Sequence, residues 1–181
     1  MYMLIAGLAL WYGAHLFKRV APDARASMGR AGRGVVAVGI LAGLALMILG
    51  YRGAGFTPIW SPPLWATHLN NLLMLIAIFT FGMSATTGRL RGRLRHPMLL
   101  SVVIWAVAHL LVNGDLASVV LFGGMLIWAL LEMAVINRAE VWDRPEPGPA
   151  RKDILLIVIT LVIYAIAIAI HLWLGVRPFP V

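Results

Sequence analysis

The sequence predicts an all-α integral membrane bundle of about six transmembrane helices, with both termini outside, on the periplasmic face. Three observations predict it: the composition, six long apolar runs, and basic residues gathered in alternate loops. Of 181 residues, 61% are hydrophobic and 12% charged, and mean hydropathy is +0.90. An ordinary soluble domain is about a quarter charged and under half apolar. A soluble core of this length would not hide so much apolar surface, so lipid is part of the solvent and the bilayer is the first partner.

The apolar runs are Tyr2–Phe17, Val35–Tyr51, Leu64–Ala85, Pro97–Val112, Leu116–Ile136 and Ile154–Gly175. At 1.5 Å rise per residue the shorter ones just cross a core of about 30 Å, and the longer ones cross with tilt. Inside lipid every backbone N–H and C=O must be satisfied within the segment, so runs of this length are helices. The first run reads as a retained helix instead of a signal peptide, because Lys18 and Arg19 follow the apolar stretch. The second carries Gly39 and Gly43, which allow close helix packing. The third opens with Pro62-Pro-Leu-Trp65, and the fourth with Arg95-His96-Pro97, where proline suits the first helical position. The turn Asn113-Gly114-Asp115 separates the fourth run from the fifth, which contains the packing pair Gly123-Gly124. The sixth run is rich in β-branched residues and would suit a strand in water, but in a bilayer its length makes it a helix. The only linker is 143–149, too short for a domain. There is no internal repeat, and the chain reads as a single transmembrane domain, 1–181.

Topology follows from lysine and arginine. Lys18, Arg19, Arg25, Arg30 and Arg33 follow the first run; Arg89, Arg91, Arg93 and Arg95 follow the third; Arg138, Arg144, Arg151 and Lys152 follow the fifth. Only Arg52 and Arg177 lie on the other side. This asymmetry places the three basic loops in the cytoplasm. It also accounts for the net charge of +8 without a nucleic-acid partner. Trp60, Trp65 and Trp173 fall near outer ends, where their rings suit the interface.

Ionisable groups inside a bilayer are costly and ask for a reason. With no cysteine, disulfides, Fe–S clusters and thiolate ligation are excluded, so any metal centre rests on histidine, methionine, carboxylate or backbone. The five histidines sort into two depths. His68, His109 and His171 lie near the outer face with Asn70, Asn71, Asn113 and Asp115. His15 and His96 lie near the inner face with Arg95 and Glu132. Neutral imidazole is the usual ligand for haem iron and many metals. The plainer alternative is a hydrogen bond to a neighbouring helix. Glu132 reads as a snorkelling carboxylate or as the group that orients His15 or His96. Arg95 and His96 beside a helix N-terminus make a natural anion site, or simply a basic stop before a proline start. The scattered methionines are apolar filler. There is no P-loop, Ser-His-Asp pattern or HExxH motif.

The stretches Gly13-Ala-His-Leu-Phe17, Arg95-His-Pro-Met-Leu-Leu100 and Ala108-His-Leu-Leu-Val-Asn-Gly-Asp-Leu-Ala-Ser118, with Pro62-Pro-Leu-Trp65, resemble the NnrU family of bacterial membrane proteins. The likeness runs nearly the whole length. It implies an association with denitrification, the reduction of nitrite and nitric oxide. A more distant similarity is to the 15-cis-zeta-carotene isomerases, membrane enzymes that use histidine-held haem b to isomerise a polyene. That similarity implies haem b here, with His15 and His109 as axial ligands and Arg95-His96-Pro97 beside them. Residue counting differs in part, since it puts His15 and His109 about 13 Å apart in depth. His68 and His171 share the depth of His109. His109 is therefore in both constellations, and its partner is His15 by resemblance or His68 or His171 by depth; Asn113, His96, Arg95 and Glu132 form the surrounding shell.

Arg-His-Pro also resembles a motif of membrane methyltransferases, but the segment after the fifth run lacks the acidic and aromatic closure those enzymes use. Three functions follow: a haem protein handling nitric oxide or electrons, a haem-dependent isomerase of a hydrophobic polyene, or a non-catalytic accessory protein bound to other membrane subunits.

Overall fold

The computed structural model describes residues 1–179. The chain is helical throughout, and among the described residues there is no strand, only an isolated bridge between Pro58 and Asp115. Seven helices follow in order: α1 (Tyr2–Val20), α2 (Pro22–Ser27), α3 (Ala31–Arg52), α4 (Trp65–Gly82), α5 (Pro97–Val112), α6 (Leu116–Ala139) and α7 (Arg151–Trp173). Six of them coincide with the six apolar runs to within about one turn at either end. The additional α2 is too short to carry an apolar period. Pro22 starts it, at a position whose N–H would be unpaired anyway.

Helices α3, α4, α6 and α7 are long and apolar enough to cross a membrane, with mean hydropathy of 2.3, 1.2, 2.3 and 2.9. Helix α5 is equally apolar but has 16 residues, bounded by Pro97 and Asn113. Helix α7 shows most plainly what solvates this protein. It buries Leu156 and Thr160 and leaves Ile154, Leu155, Ile157, Val158, Leu161 and Val162 exposed. A helix apolar all round with so little of it covered is a lipid-facing helix, and the chain is a membrane protein.

The helices gather into two compact units, Met1–Trp60 with Gly114–Ala139, and Ser61–Asn113 with Glu140–Val181. In the first, α3 and α6 both pack on α1. Glycine lets α1 and α3 approach main chain to main chain. A Cβ on Gly7 would stand 2.6 Å from the Met47 amide nitrogen, and one on Gly50 would run into the backbone of Leu4 and Met3. Gly43 sits against Trp11 in the same seam, and Gly39 against Ala14. Lipid offers no hydrophobic drive between helices, so such close contact holds them together. Gly124 of α6 lies under Leu8, while Gly123 faces open space.

In the second unit α5 and α7 both pack on α4. Small buried residues line these seams, Ala66 and Ala77 on α4 and Ala106 and Ala108 on α5. Leu156 of α7 closes over Gly82, and the Tyr164 hydroxyl donates to the Asn71 carbonyl at 3.2 Å.

Candidate functional site

Three histidines share one local geometry. Nδ1 lies 2.9 Å from the Trp11 carbonyl oxygen in His15, 2.9 Å from that of Trp105 in His109, and 2.7 Å from that of Ala167 in His171. In each case the partner is one turn back on the same helix. A carbonyl only accepts, so Nδ1 carries the proton and donates it. In the neutral ring Nε2 is then the nitrogen that carries the lone pair. Fixing the ring by its second nitrogen is how proteins orient metal-ligating histidines. His68 lies exposed on α4, and His96 is the residue before Pro97 at the start of α5.

His109 and His171 belong to one unit, on α5 and α7. The end of α5 is tied down beside them. The Asn113 side chain donates to the His109 carbonyl at 2.8 Å, and the Asn113 N–H reaches the same oxygen at 3.0 Å. Trp105, one turn before His109, holds its ring 5.2 Å from the imidazole, centroid to centroid. On α4, Asn70 donates to Asn71 at 3.0 Å, and Asn71 donates to the Pro178 carbonyl at 2.8 Å.

His15 lies in the other unit, within an aromatic cage. Its ring centroid is 4.3 Å from that of Trp11 and 4.8 Å from that of Trp128, and the two indoles meet edge-on at 5.4 Å. Trp11 and His15 stack one turn apart on α1, as Trp128 and Glu132 do on α6. The cage carries more hydrogen-bonding capacity than it uses. The Nε1–H groups of Trp11 and Trp128 and Oε2 of Glu132 are all buried with no hydrogen-bond partner. Each such group costs about 1–3 kcal/mol, so the two indole N–H groups of the cage mark a spot where a polar ligand group would be held. His15 takes its orientation from the Trp11 carbonyl, while Arg19 supplies the cationic charge that Glu132 feels.

Arg95 donates from its guanidinium to the Glu140 carbonyl. It thereby anchors the chain leading to α7. Among the described residues no group of three histidine or acidic side chains converges as a metal-ion site. One or two imidazoles is what a haem iron takes from a protein.

The turn at Asn113-Gly114-Asp115 does more than reverse the chain. The Asp115 carboxylate accepts the Ser118 N–H at 3.0 Å and the Ser118 hydroxyl, the arrangement of a helix N-cap. With its own proton given to Asp115, the Ser118 oxygen accepts from the Tyr51 hydroxyl at 2.9 Å. Asp115→Ala is expected to lower the stability of this unit by about 1–2 kcal/mol, through loss of the cap and release of Tyr51. Thermal unfolding in detergent measures it, and Asp115→Asn should recover most of the loss. The signal was in the sequence as Asp115-x-x-Ser118 ahead of an apolar run; the link to Tyr51 was not.

No characterised protein and no solved structure gives a significant match to the chain. A family model described as NnrU protein matches residues 3–178. That span takes in both units and every histidine described above, and the chain belongs to the NnrU protein family.

Proposed function

We propose that the chain is a haem-b-binding, multi-pass protein of the bacterial inner membrane, serving nitrite and nitric oxide reduction by handling nitric oxide or electrons. Six spans with both termini outside, and the three arginine-bearing loops in the cytoplasm, follow from the charge asymmetry. The observation that carries the cofactor is the shared histidine geometry: each Nδ1 donates to a carbonyl of its own helix, the way proteins orient an imidazole that would hold an iron. His109 and His171 would hold the haem, because both carry this geometry and lie in one unit. His15 and His68 are the alternatives for the second position. The place in denitrification rests on the family alone.

Haem b would supply an iron that exchanges single electrons and binds nitric oxide. The residues of this chain do the rest. The Trp105 and Ala167 carbonyls hold the two rings, Asn113 fixes the end of α5, and apolar helices exclude water. Of the residues that would hold the group, His171 is the one whose position would let it withdraw and admit a small gas. His171 sits in the last turn of α7, where a helix end gives way most easily.

The test is the absorption spectrum of the full chain, purified in detergent after expression with ample haem. A Soret band that moves on dithionite reduction is expected. Colourless protein would sink the reading. A second reading, haem-dependent isomerisation of a polyene, is favoured by a groove of about 220 Å³ between α4 and α7, lined by Leu75, Ile76, Phe79, Ile157, Thr160 and Leu161. Unchanged cis/trans composition of carotenoids in a strain carrying the gene would remove that option.

A further inference from the structure

Four arginines of the second unit surround one cavity, and the haem reading uses none of them. The cavity, about 340 Å³, is lined by Arg89, Arg91 and Arg93 from the segment between α4 and α5, and by Arg144, Pro145, Glu146 and Pro147 from the segment before α7. None of the four guanidiniums is paired with a carboxylate among the described residues. Topology alone would ask for positive charge at this end of the helices, but it would be met by arginines splayed from mobile loops. Here the loops are pinned to each other. The Gly148 N–H donates to the Gly88 carbonyl at 2.9 Å. The Asp153 carboxylate accepts the N–H groups of Arg89 at 3.0 Å and Leu90 at 3.2 Å. The Asp153 carboxylate is thereby engaged by backbone. Gly92 adopts a left-handed φ of 74°, and it touches Pro145 so closely that a Cβ would stand 2.7 Å from the Pro145 carbonyl oxygen. Arg95 ties the far end of the same segment through Glu140. The result is an open cup with pinned rims, lined by four arginines and one glutamate.

We propose that this cup binds a phosphate group that carries a substituent, either the headgroup of an anionic phospholipid or a soluble phosphate ester. Guanidinium forks match the several oxygens of a phosphate two at a time, so converging arginines suit it better than a monoatomic or planar anion. The volume exceeds what a bare oxyanion fills, leaving room for the attached group. Basic pockets at the ends of membrane helices bind lipid headgroups by the same chemistry.

The test uses the detergent-purified full chain and two probes at matched ionic strength. Phosphatidylglycerol in mixed micelles, against phosphatidylcholine, represents the lipid source; inorganic pyrophosphate, against chloride, represents the soluble one. Binding is read from the shift in thermal midpoint as each probe is titrated. Response to phosphatidylglycerol alone assigns a headgroup, response to pyrophosphate assigns a soluble ester, and either supports the site. In Arg89→Gln/Arg91→Gln/Arg93→Gln the apparent affinity should fall at least about 100-fold, from three lost charge-assisted contacts. The control Arg30→Gln/Arg33→Gln/Arg138→Gln removes equal charge outside the cup and should change it less than about threefold. Arg89→Lys/Arg91→Lys/Arg93→Lys keeps the charge and guards against a folding defect; it should bind about tenfold more weakly than the parent. The proposal is overturned if neither probe exceeds its reference, if the control triple loses as much as the cup triple, or if the lysine triple binds as tightly as the parent.

Discussion

His109→Ala is expected to strip the protein of haem, leaving under about a tenth of the parent's Soret absorbance per chain. Removing even a partner of a ligating histidine typically costs 10–100-fold in affinity, and removing the ligand itself costs more. His109 is the residue on which the sequence patterns converge. It lies at the depth of His68 and His171 and within the family-like block around Ala108-His109. Its Nδ1 is held by Trp105 and its backbone carbonyl by Asn113. The second ligand follows from three parallel variants. Loss of the band in His171→Ala assigns the pair to α5 and α7, loss in His15→Ala assigns it to α5 and α1, and loss in His68→Ala to α5 and α4. An intact spectrum in His109→Ala would remove the proposed centre altogether.

The second large effect is structural. Gly50→Leu should destabilise the first unit by about 3 kcal/mol or more, seen as a collapse of the thermal midpoint and of the yield in detergent. Overpacking usually costs about 1–3 kcal/mol when side chains can shift. At Gly50 the added atoms meet the main chain of Leu4 and Met3, which cannot shift without separating α1 from α3. Gly13→Ala is the matched control. It lies in α1 with nothing within 4 Å of the added Cβ, so replacing glycine in a helix interior should be neutral or mildly stabilising. Equal loss in both variants would show that the seam between α1 and α3 does not depend on close approach.

The glycines show how far a linear pattern reaches. Gly39 and Gly43 stand out because they fall within one run, and both lie in the α1–α3 seam. Gly50, at the end of its run, and Gly7, six residues from Gly13 in its own, carry closer contacts without the four-residue spacing of Gly39 and Gly43. Gly123 and Gly124 look alike in sequence, yet only Gly124 packs, under Leu8. A helix face has no meaning until a neighbour is placed against it.

The same holds for the polar groups. Histidine, glutamate and asparagine within apolar runs are conspicuous because lipid makes them expensive, so His15, His109, His171 and Glu132 could be named from the chain alone. That three of those histidines bond back to their own helix through Nδ1 depends on side-chain rotamers. The cage of Trp11 and Trp128 around His15 depends on α6 meeting α1. Asp153 reads as an ordinary acid in the first turn of a helix, and its bonds to Arg89 and Leu90 span more than sixty residues.

What the sequence by itself determined is the class of solvent and the positions of the helices. Both follow from local quantities: the length of each apolar run, the need to satisfy every backbone group inside lipid, and the placing of arginine and lysine. Only the tertiary structure decided that α1, α3 and α6 gather into one unit and α4, α5 and α7 into another, and which buried groups lack partners. Only it turned a string of arginines into an open cup. The physical reason is that hydropathy sums along a chain, whereas packing and hydrogen bonding are made between segments distant in sequence.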